Sequence, residues 1–237
     1  LPHDRVAPRV VAVIPVLNEQ GAIGPTVARL PASVHLAVVV DGGSTDGTVA
    51  EAEAAGAQVI VEARRGYGRA CLTGAERARE LGAEWLLFLD GDGADAVEQA
   101  DALLAPLQSG QADFVIATRA GGLREPGSMG AHQVLAGYLI GGALGTICGQ
   151  RYTDMCAFRA LRVSDLMRLD MQEMTYGWNL EMQIKVPRAG LRVMEVKLPY
   201  FRRVAGQSKV AGSLQGSWKA GTRIIITLLR HHRRKAN

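Results

Sequence analysis

Apolar, β-branched runs of strand length recur along the first half of the chain, at residues 9–16, 36–41, 57–63, 85–90 and 113–118. Between them lie Ala-rich amphipathic stretches of helical length, at 22–30, 48–55, 67–81 and 97–108. This strand–helix alternation predicts an α/β fold with a mostly parallel, doubly wound sheet and helices on both faces. Ligands of such open sheets bind beyond the carboxyl ends of the strands, so the polar residues that close each run are the ones to read for chemistry.

Beyond Arg119 the alternation breaks into a Gly-rich loop, an apolar helix over 134–148, a polar turn over 152–159 and a helix over 178–189. The 134–148 stretch carries four glycines and falls short of the roughly 20 apolar residues a spanning helix needs, which predicts a buried or interfacial helix.

The 237 residues, 48% of them apolar, suffice for one sizeable core with a C-terminal extension. Cys71, Cys148 and Cys156 are too few and too scattered for a disulfide framework or a CxxC-type metal site, which fits a reducing compartment. No basic n-region followed by an apolar h-region opens the sequence, so the expected location is cytoplasmic. The net charge of +4 conceals an asymmetry: ten of the 27 basic residues follow Glu195 and no acidic residue does, leaving 17 basic against 23 acidic residues before it. A basic tail on an acidic body implies an anionic partner such as phospholipid, nucleic acid or a phosphorylated acceptor.

The first run closes on Pro15-Val16-Leu17-Asn18-Glu19, the second on Asp41-Gly42-Gly43-Ser44-Thr45-Asp46-Gly47 and the fourth on Asp90-Gly91-Asp92. An Asp-x-Asp at a strand end reads either as an Asx-type turn or helix cap, or as two hard oxygen ligands for Mg²⁺ or Mn²⁺. In the second reading Asp90 and Asp92 hold a cation that stabilises the charge of a departing diphosphate. Asp41 and Glu19 are placed for hydrogen bonds to a base and ribose, Asn18 for a contact or a turn, and Asp46 for capping the helix that starts at Thr48.

In this order and spacing the motifs resemble the inverting family-2 glycosyltransferases of GT-A fold, whose donor half reads PxxNE, DDGSTDGT and DxD. The resemblance spans roughly residues 9–210. It is nearest to the dolichyl-phosphate mannose synthase-like branch and its bacterial relatives that use polyprenyl phosphate. Arg203-Val204-Ala205-Gly206-Gln207-Ser208-Lys209 resembles that branch's RxxGxSK, and the segment Tyr176 to Gln183 resembles its aromatic-rich Gly-to-Glu segment.

The resemblance implies a GT-A domain over 1–210, with a sugar-nucleotide and metal half at about 9–119 and an acceptor side at 120–210. It implies that Pro15, Val16, Asn18, Glu19, Asp41, Gly68, Asp90, Gly91, Asp92, Arg119, Arg203 and Lys209 bind the sugar nucleotide. Asp154 and Glu181, with Asp92, would face the reacting centre. Arg supplies fork-shaped donors to phosphate and Lys a mobile point charge. Without the motif, Arg203 and Lys209 read as a solvated basic face; Asp154 and Glu181 read equally as helix caps or partners of a nearby Arg.

Four positions depart from the pattern. Gly42 replaces the second acid of DDGST, Ala94 stands where the synthase branch often has a Gln ligand, with Asp95 beside it as a substitute, and Gln133 stands near an expected Arg. Trp178-Asn179 falls where many sugar-extending relatives carry Glu-Asp, whose Asp is the general base. A hydroxyl acceptor needs such a base, whereas a phosphate monoester is already ionised near neutral pH. The expected acceptor is therefore a lipid phosphate such as polyprenyl phosphate, and the expected donor a nucleotide diphosphate hexose of the UDP-glucose or GDP-mannose type. Transfer to a hydroxyl, or a sugar-nucleotide-binding module without turnover, are the alternatives.

Over 211–237 a helix would gather Lys219, Arg223, Arg230 and Arg234 on one arc, apart from Trp218, Ile225, Leu228 and Leu229. Such a basic amphipathic helix suits a peripheral position on the inner face of the membrane, or a docked C-terminal helix with a charged end. The short basic cluster and low aromatic content argue against nucleic acid as partner. The Gly-rich entry Gly66-Tyr67-Gly68-Arg69-Ala70-Cys71 has Cys71 where a dinucleotide fingerprint needs its third Gly and follows the third run, which argues against a Rossmann oxidoreductase. A nucleotidyltransferase shares sheet and metal, but its Gly-rich, Lys-containing signature is missing after the first run, where Asn18-Glu19 stand.

Overall fold

The computed structural model describes residues 9–120 and 124–204. Its strands are β1 (Val10–Val16), β2 (Leu36–Asp41), β3 (Gln58–Val61), β4 (Trp85–Phe88), β5 (Phe114–Thr118), β6 (Arg159–Arg162) and β7 (Val193–Lys197). They form one sheet in the order β3-β2-β1-β4-β6-β5-β7. Helices α1 (Ile23–Ala28), α2 (Thr48–Ala54), α3 (Tyr67–Glu80), α4 (Asp101–Gln108), α5 (Ala131–Cys148), α6 (Val163–Arg168) and α7 (Trp178–Arg188) alternate with the strands or cap the sheet.

The central strands read as unbroken apolar runs because both of their faces are covered. Val11 to Ile14 of β1, Val38 to Val40 of β2, Leu86 and Leu87 of β4 and Phe114 to Ile116 of β5 are all without solvent exposure. Helix α3 lies close on this core at Gly74, where a Cβ would come within 2.4 Å of Val13 Cγ1.

Strands β3, β2, β1 and β4 are parallel, as expected, and β5 pairs parallel with β7. Between the two groups lies β6, antiparallel to both β4 and β5. The expected polar turn over 152–159 thus ends by entering the sheet. Arg159-Ala160-Leu161-Arg162 is too short and too basic to read as a strand, yet Arg159 is 1% exposed. Its guanidinium donates to the carbonyls of Ala157 and Cys156, so a charge that sequence places in solvent is satisfied by backbone oxygens inside the fold. The expected helix over 97–108 divides at Ala100 into a 3₁₀ turn, Val97–Gln99, and α4.

The reversal of β6 has a positional result. Phe88 at the end of β4 pairs with Arg159 at the start of β6, and Arg159 pairs in turn with Ile116 of β5. The segment that precedes β6 therefore meets the segments that follow β1, β2, β4, β5 and β7 along one edge of the sheet. Among the described residues no helix is long and apolar enough to cross a membrane. Lys209 and the helix expected over 211–237 lie outside the described residues.

Candidate active site

At this edge the turns after β1 and β2 interlock. Asn18 adopts φ 51°; its side-chain oxygen accepts from the Thr45 N–H (2.8 Å), and its own N–H donates to the Ser44 hydroxyl (2.8 Å). Gly42 N–H donates to Val16 O (2.9 Å), and the Glu19 N–H to the Thr48 hydroxyl (2.8 Å). Pro15, Val16, Asn18, Glu19 and Asp41 are thereby brought onto one shelf, in which Pro15 pairs with Val40 and Val16 with Asp41. Asp41 is 2% exposed, and its carboxylate accepts from the N–H groups of Gly43 and Ser44 and from the Ser44 hydroxyl. These bonds fix the turn and hold the carboxylate in place on the shelf. Asp46 accepts from the Thr48 N–H (3.1 Å) at the start of α2, the capping position expected of it, and the Thr48 hydroxyl holds its carboxyl below the usual range.

Three carboxylates gather after β4. Asp90 accepts from the Tyr67 hydroxyl (3.3 Å), Asp92 accepts from the Ala94 N–H (3.0 Å), and Asp95 accepts from the Asp90 N–H (3.3 Å) and the Cys156 thiol (3.8 Å). Gly91 makes the turn possible, since a Cβ there would lie 2.6 Å from Val16 Cγ1. Burial, reinforced by the negative charge of Asp92, pushes Asp90 up to about 6. Burial and the charges of Asp90 and Asp92 push Asp95 up to about 8. Such a cluster is short of positive charge.

Two arginines supply part of it. Arg203 Nη2 approaches Asp92 Oδ2 at 2.9 Å. Residues 200–204 lie as a strap along 92–95: Phe201 N–H donates to Ala94 O (2.9 Å), Val204 N–H to Asp92 O (3.0 Å), and Tyr200 bridges to Asp95. Arg119, just past β5, places its guanidinium 4.9 Å from the centre of the Tyr200 ring. The same guanidinium is gripped by Asp154 through Nε (2.6 Å) and Nη2 (2.7 Å), and the Arg119 N–H adds a third bond of 2.9 Å. That pairing, led against burial by the hydrogen bonds from Arg119, leaves the Asp154 carboxyl below its usual range. Beside the pair lies a shallow open depression, lined among others by Arg119, Arg124, Thr153, and Val134 and Gly137 of α5.

Asn179 at the start of α7 lies beside the Tyr67 side chain, which in turn reaches Asp90. It thus belongs to the carboxylate cluster, with an amide where a base is expected in other relatives. Glu181 does not join the cluster. Its buried carboxylate accepts from the N–H groups of Gln172 (3.0 Å) and Glu173 (2.7 Å) and pairs with Lys185 (2.9 Å), which clamps residues 170–173 to α7. The expectation that Glu181 faces the reacting centre is corrected accordingly, because its oxygens are turned to that loop. At Gly68 a Cβ would lie 2.3 Å from Glu173 O, so the missing side chain admits the backbone of residues 173–174.

The residues fit a divalent cation. The oxygen set is hard, and Asp92 Oδ2 is a buried oxygen with no hydrogen bond, held only by the ion pair to Arg203. Among the described residues no three acidic, His or Cys side chains converge as a complete metal cage. Asp90 and Asp92 are the oxygen ligands available to an ion of the Mg²⁺ class, which takes one or two carboxylates and completes its shell with substrate phosphates and water.

The comparisons agree with this architecture. The family model described as glycosyl transferase family 2 matches residues 11–169. An uncharacterized glycosyltransferase of Mycobacterium tuberculosis is 34% identical over 210 residues, covering 88% of this chain and 92% of that protein. Undecaprenyl-phosphate mannosyltransferase of Micrococcus luteus is 30% identical over 225 residues, covering 88% and 90%. Among solved structures, glucosyl-3-phosphoglycerate synthase from Mycobacterium tuberculosis, in complex with Mn²⁺, UDP-glucose and phosphoglyceric acid, aligns with a TM-score of 0.73 at 22% identity. The alignment covers 95% of this chain and 80% of that one, and shows the shared GT-A fold. The chain belongs to glycosyl transferase family 2, in its polyprenyl-phosphate mannose synthase-like branch, and is a hexosyltransferase that uses a nucleotide sugar.

Tyr67, Tyr200, Arg124 and Arg159 are contributors that the sequence reading passed over, and Asp95 entered it only as a substitute for Ala94. The one available signal was Asp95 itself, an acid three residues after Asp92 in an otherwise small, apolar stretch.

Proposed function

We propose that the protein transfers a hexosyl group, with inversion, from a nucleotide diphosphate hexose of the UDP-glucose or GDP-mannose type to polyprenyl phosphate. A phosphate oxygen of the lipid forms a bond to the anomeric carbon as the bond from that carbon to the diphosphate breaks, and the nucleoside diphosphate leaves. Asp90 and Asp92 hold Mg²⁺ or Mn²⁺, which when bound stabilises the negative charge of the diphosphate. Arg203, with Lys209, grips the diphosphate; Arg119, which the resemblance places with the sugar nucleotide, lines the depression with Arg124, where the two orient the acceptor phosphate.

The observation that carries the acceptor class is the state of the acceptor-side carboxylates. Asp154 is bound on both oxygens by Arg119, Glu181 is bound by Gln172, Glu173 and Lys185, and Asn179 offers an amide. A phosphate monoester attacks without a base, and two arginines beside the depression suit its charge. The names of relatives that act on undecaprenyl phosphate and polyprenol phosphate support the same class. The basic tail suits work at the inner membrane surface, where such lipids reside.

The test offers UDP-glucose and GDP-mannose, with Mn²⁺ or Mg²⁺, to polyprenyl phosphate and to the matching free polyprenol. Sugar on the phosphate alone is the expected result. Efficient transfer to the alcohol would refute the phosphate assignment.

A further inference from the structure

Beyond β7 the chain is kept extended by Pro199 and anchored by Leu198, which is 5% exposed. This brings Tyr200 between two segments that are distant in sequence. Its main chain bridges antiparallel to Asp95 on one side and parallel to Arg124 on the other. The Phe201 N–H donates to Ala94 O at 2.9 Å, and Tyr200 O accepts from the Glu125 N–H at 2.8 Å. Arg202 extends the second seam, with its N–H on Glu125 Oε2 at 2.7 Å and its Nε on Pro126 O at 2.8 Å. The carboxylate turn after β4 and the rim of the depression that carries Arg124 are thus laced together through residues 200–202.

The Tyr200 side chain takes hold of a third segment. The Arg119 guanidinium lies 4.9 Å from the centre of its ring, while Asp154 takes the Nε and Nη2 edge. The ring offers no oxygen that would compete with an anion for the N–H groups of Arg119, so it steadies the guanidinium and leaves it able to bind phosphate. One residue therefore touches the three segments that carry Asp90 and Asp92, Arg124, and Arg119.

We propose that Tyr200 is a positioning residue for sugar transfer, fixing the distance from the diphosphate held at Asp90 and Asp92 to the acceptor phosphate held at Arg119 and Arg124. The proposal rests on the phosphate-acceptor reading above and deepens it by naming the residue that sets the two reactants in register. A phosphate attacks without a base, so on the acceptor side placement is the means by which the protein raises the rate. A misplacement of about 1 Å costs about 100-fold. Tyr200 acts through Arg119 and the main-chain ladder and takes no part in bond making.

The test compares the full chain with Tyr200→Leu, which keeps the ladder and an apolar side chain but removes the ring, and with Tyr200→Phe, which keeps the ring. The measurements are kcat for transfer to polyprenyl phosphate, calorimetric affinity for Mn²⁺ with UDP, and affinity for farnesyl phosphate. In Tyr200→Leu, kcat is expected to fall about 30-fold or more and farnesyl phosphate to bind about fivefold more weakly, with Mn²⁺–UDP affinity within about threefold of the parent. Tyr200→Phe should restore all of these to within about twofold, because the ring is what holds Arg119. Should Tyr200→Leu unfold, Tyr200→Met, a flexible apolar chain without a ring, carries the same expectations.

A residue that merely holds the fold would lower Mn²⁺–UDP affinity and kcat together, and that result overturns the proposal. So does an unchanged kcat or an unchanged farnesyl phosphate affinity in Tyr200→Leu, or a Tyr200→Phe variant as impaired as Tyr200→Leu. A parent that transfers no sugar to a phosphate lipid refutes the functional reading, and the two affinities then decide the role of Tyr200. A parent that also fails to bind farnesyl phosphate overturns both.

Discussion

Arg119 and Asp154 meet side by side, Nε to Oδ2 at 2.6 Å and Nη2 to Oδ1 at 2.7 Å, although 35 residues separate them in the chain. The pair joins the end of β5 to the segment that enters β6. A carboxylate held this way below its usual range makes a poor proton acceptor and a good clamp. Asp154→Asn is therefore expected to lower transfer by about 100-fold through misplacement of Arg119. It should also destabilise the fold by about 3 kcal/mol, since a mostly buried guanidinium loses its counter-charge. The pH–rate profile of the residual activity should keep its parent shape; loss of its acidic limb would instead make Asp154 the base.

Asp92→Asn should abolish transfer, by at least about 1,000-fold, while leaving the far-ultraviolet circular dichroism unchanged. Thermal-shift titration with Mn²⁺ and UDP provides the independent check, because ligand-induced stabilisation follows binding alone. A variant still stabilised by the metal–nucleotide pair to the parent's extent would remove Asp92 from the cation site. Asn179→Ala should cost much less, about tenfold, through the loosened Tyr67 hydroxyl beside Asp90.

Arg203 should show two effects of opposite sign. It neutralises Asp92 at 2.9 Å, so Arg203→Gln is expected to strengthen binding of Mn²⁺ alone several-fold. The same change should weaken binding of the Mn²⁺–UDP pair about tenfold, because a charge-assisted contact to diphosphate is lost. Paramagnetic resonance titration of free Mn²⁺ and calorimetry with UDP separate the two, and a change of the same sign in both would contradict the assignment.

Gly68→Ala tests packing against ligand contact. The new methyl would fall 2.3 Å from Glu173 O, a backbone atom, so the expected cost is about 2 kcal/mol of stability. Nucleotide affinity of the folded fraction should change less than threefold.

The pH dependence of stability has one well-placed reporter. Asp113 and Arg192 tie the start of β5 to the start of β7, and the Arg192 hydrogen bonds hold Asp113 down at about 2. A depressed carboxylate stabilises above its unfolded value near 4, and that contribution fades as pH falls from about 4 towards 2. Urea denaturation should show Asp113→Asn costing about 0.5–1 kcal/mol at pH 7 and nothing near pH 2. A cost that persisted at pH 2 would mean that the charge is not what stabilises.

The first half of the fold was legible because its strands are buried on both faces and its helices keep a clean period. Val10–Val16 and Leu36–Asp41 were read almost to the residue. Beyond Arg119 the signal weakened for a physical reason. Arg159 enters the sheet on carbonyl hydrogen bonds, and Gly137 and Gly141 are buried in the first half of α5 while Leu135 and Leu139 are exposed, so neither polarity nor period marks its true partner. At the site, Asp90 and Asp92 could be read from motif spacing, and Arg119 and Arg203 from the family resemblance. An Arg partner for Asp154 was one of the alternatives the sequence left open, but its identity and the Glu181 loop contact could not be read, since they depend on pairings 35 and 8 to 9 residues apart that no local pattern encodes.

The single antiparallel strand β6 divides labour within the molecule. The loops after β1, β2 and β4 belong to one stretch of polypeptide, while the segment before β6 and helix α5 belong to another, and they come together only because β6 enters the sheet upside down. If the turns after β1, β2 and β4 hold the nucleotide as proposed, substitutions near Thr153 are expected to alter the receiving partner and leave those turns as they are. Chimeras exchanging residues 124–158 between relatives should inherit the acceptor preference of the inserted piece and the nucleotide preference of the host.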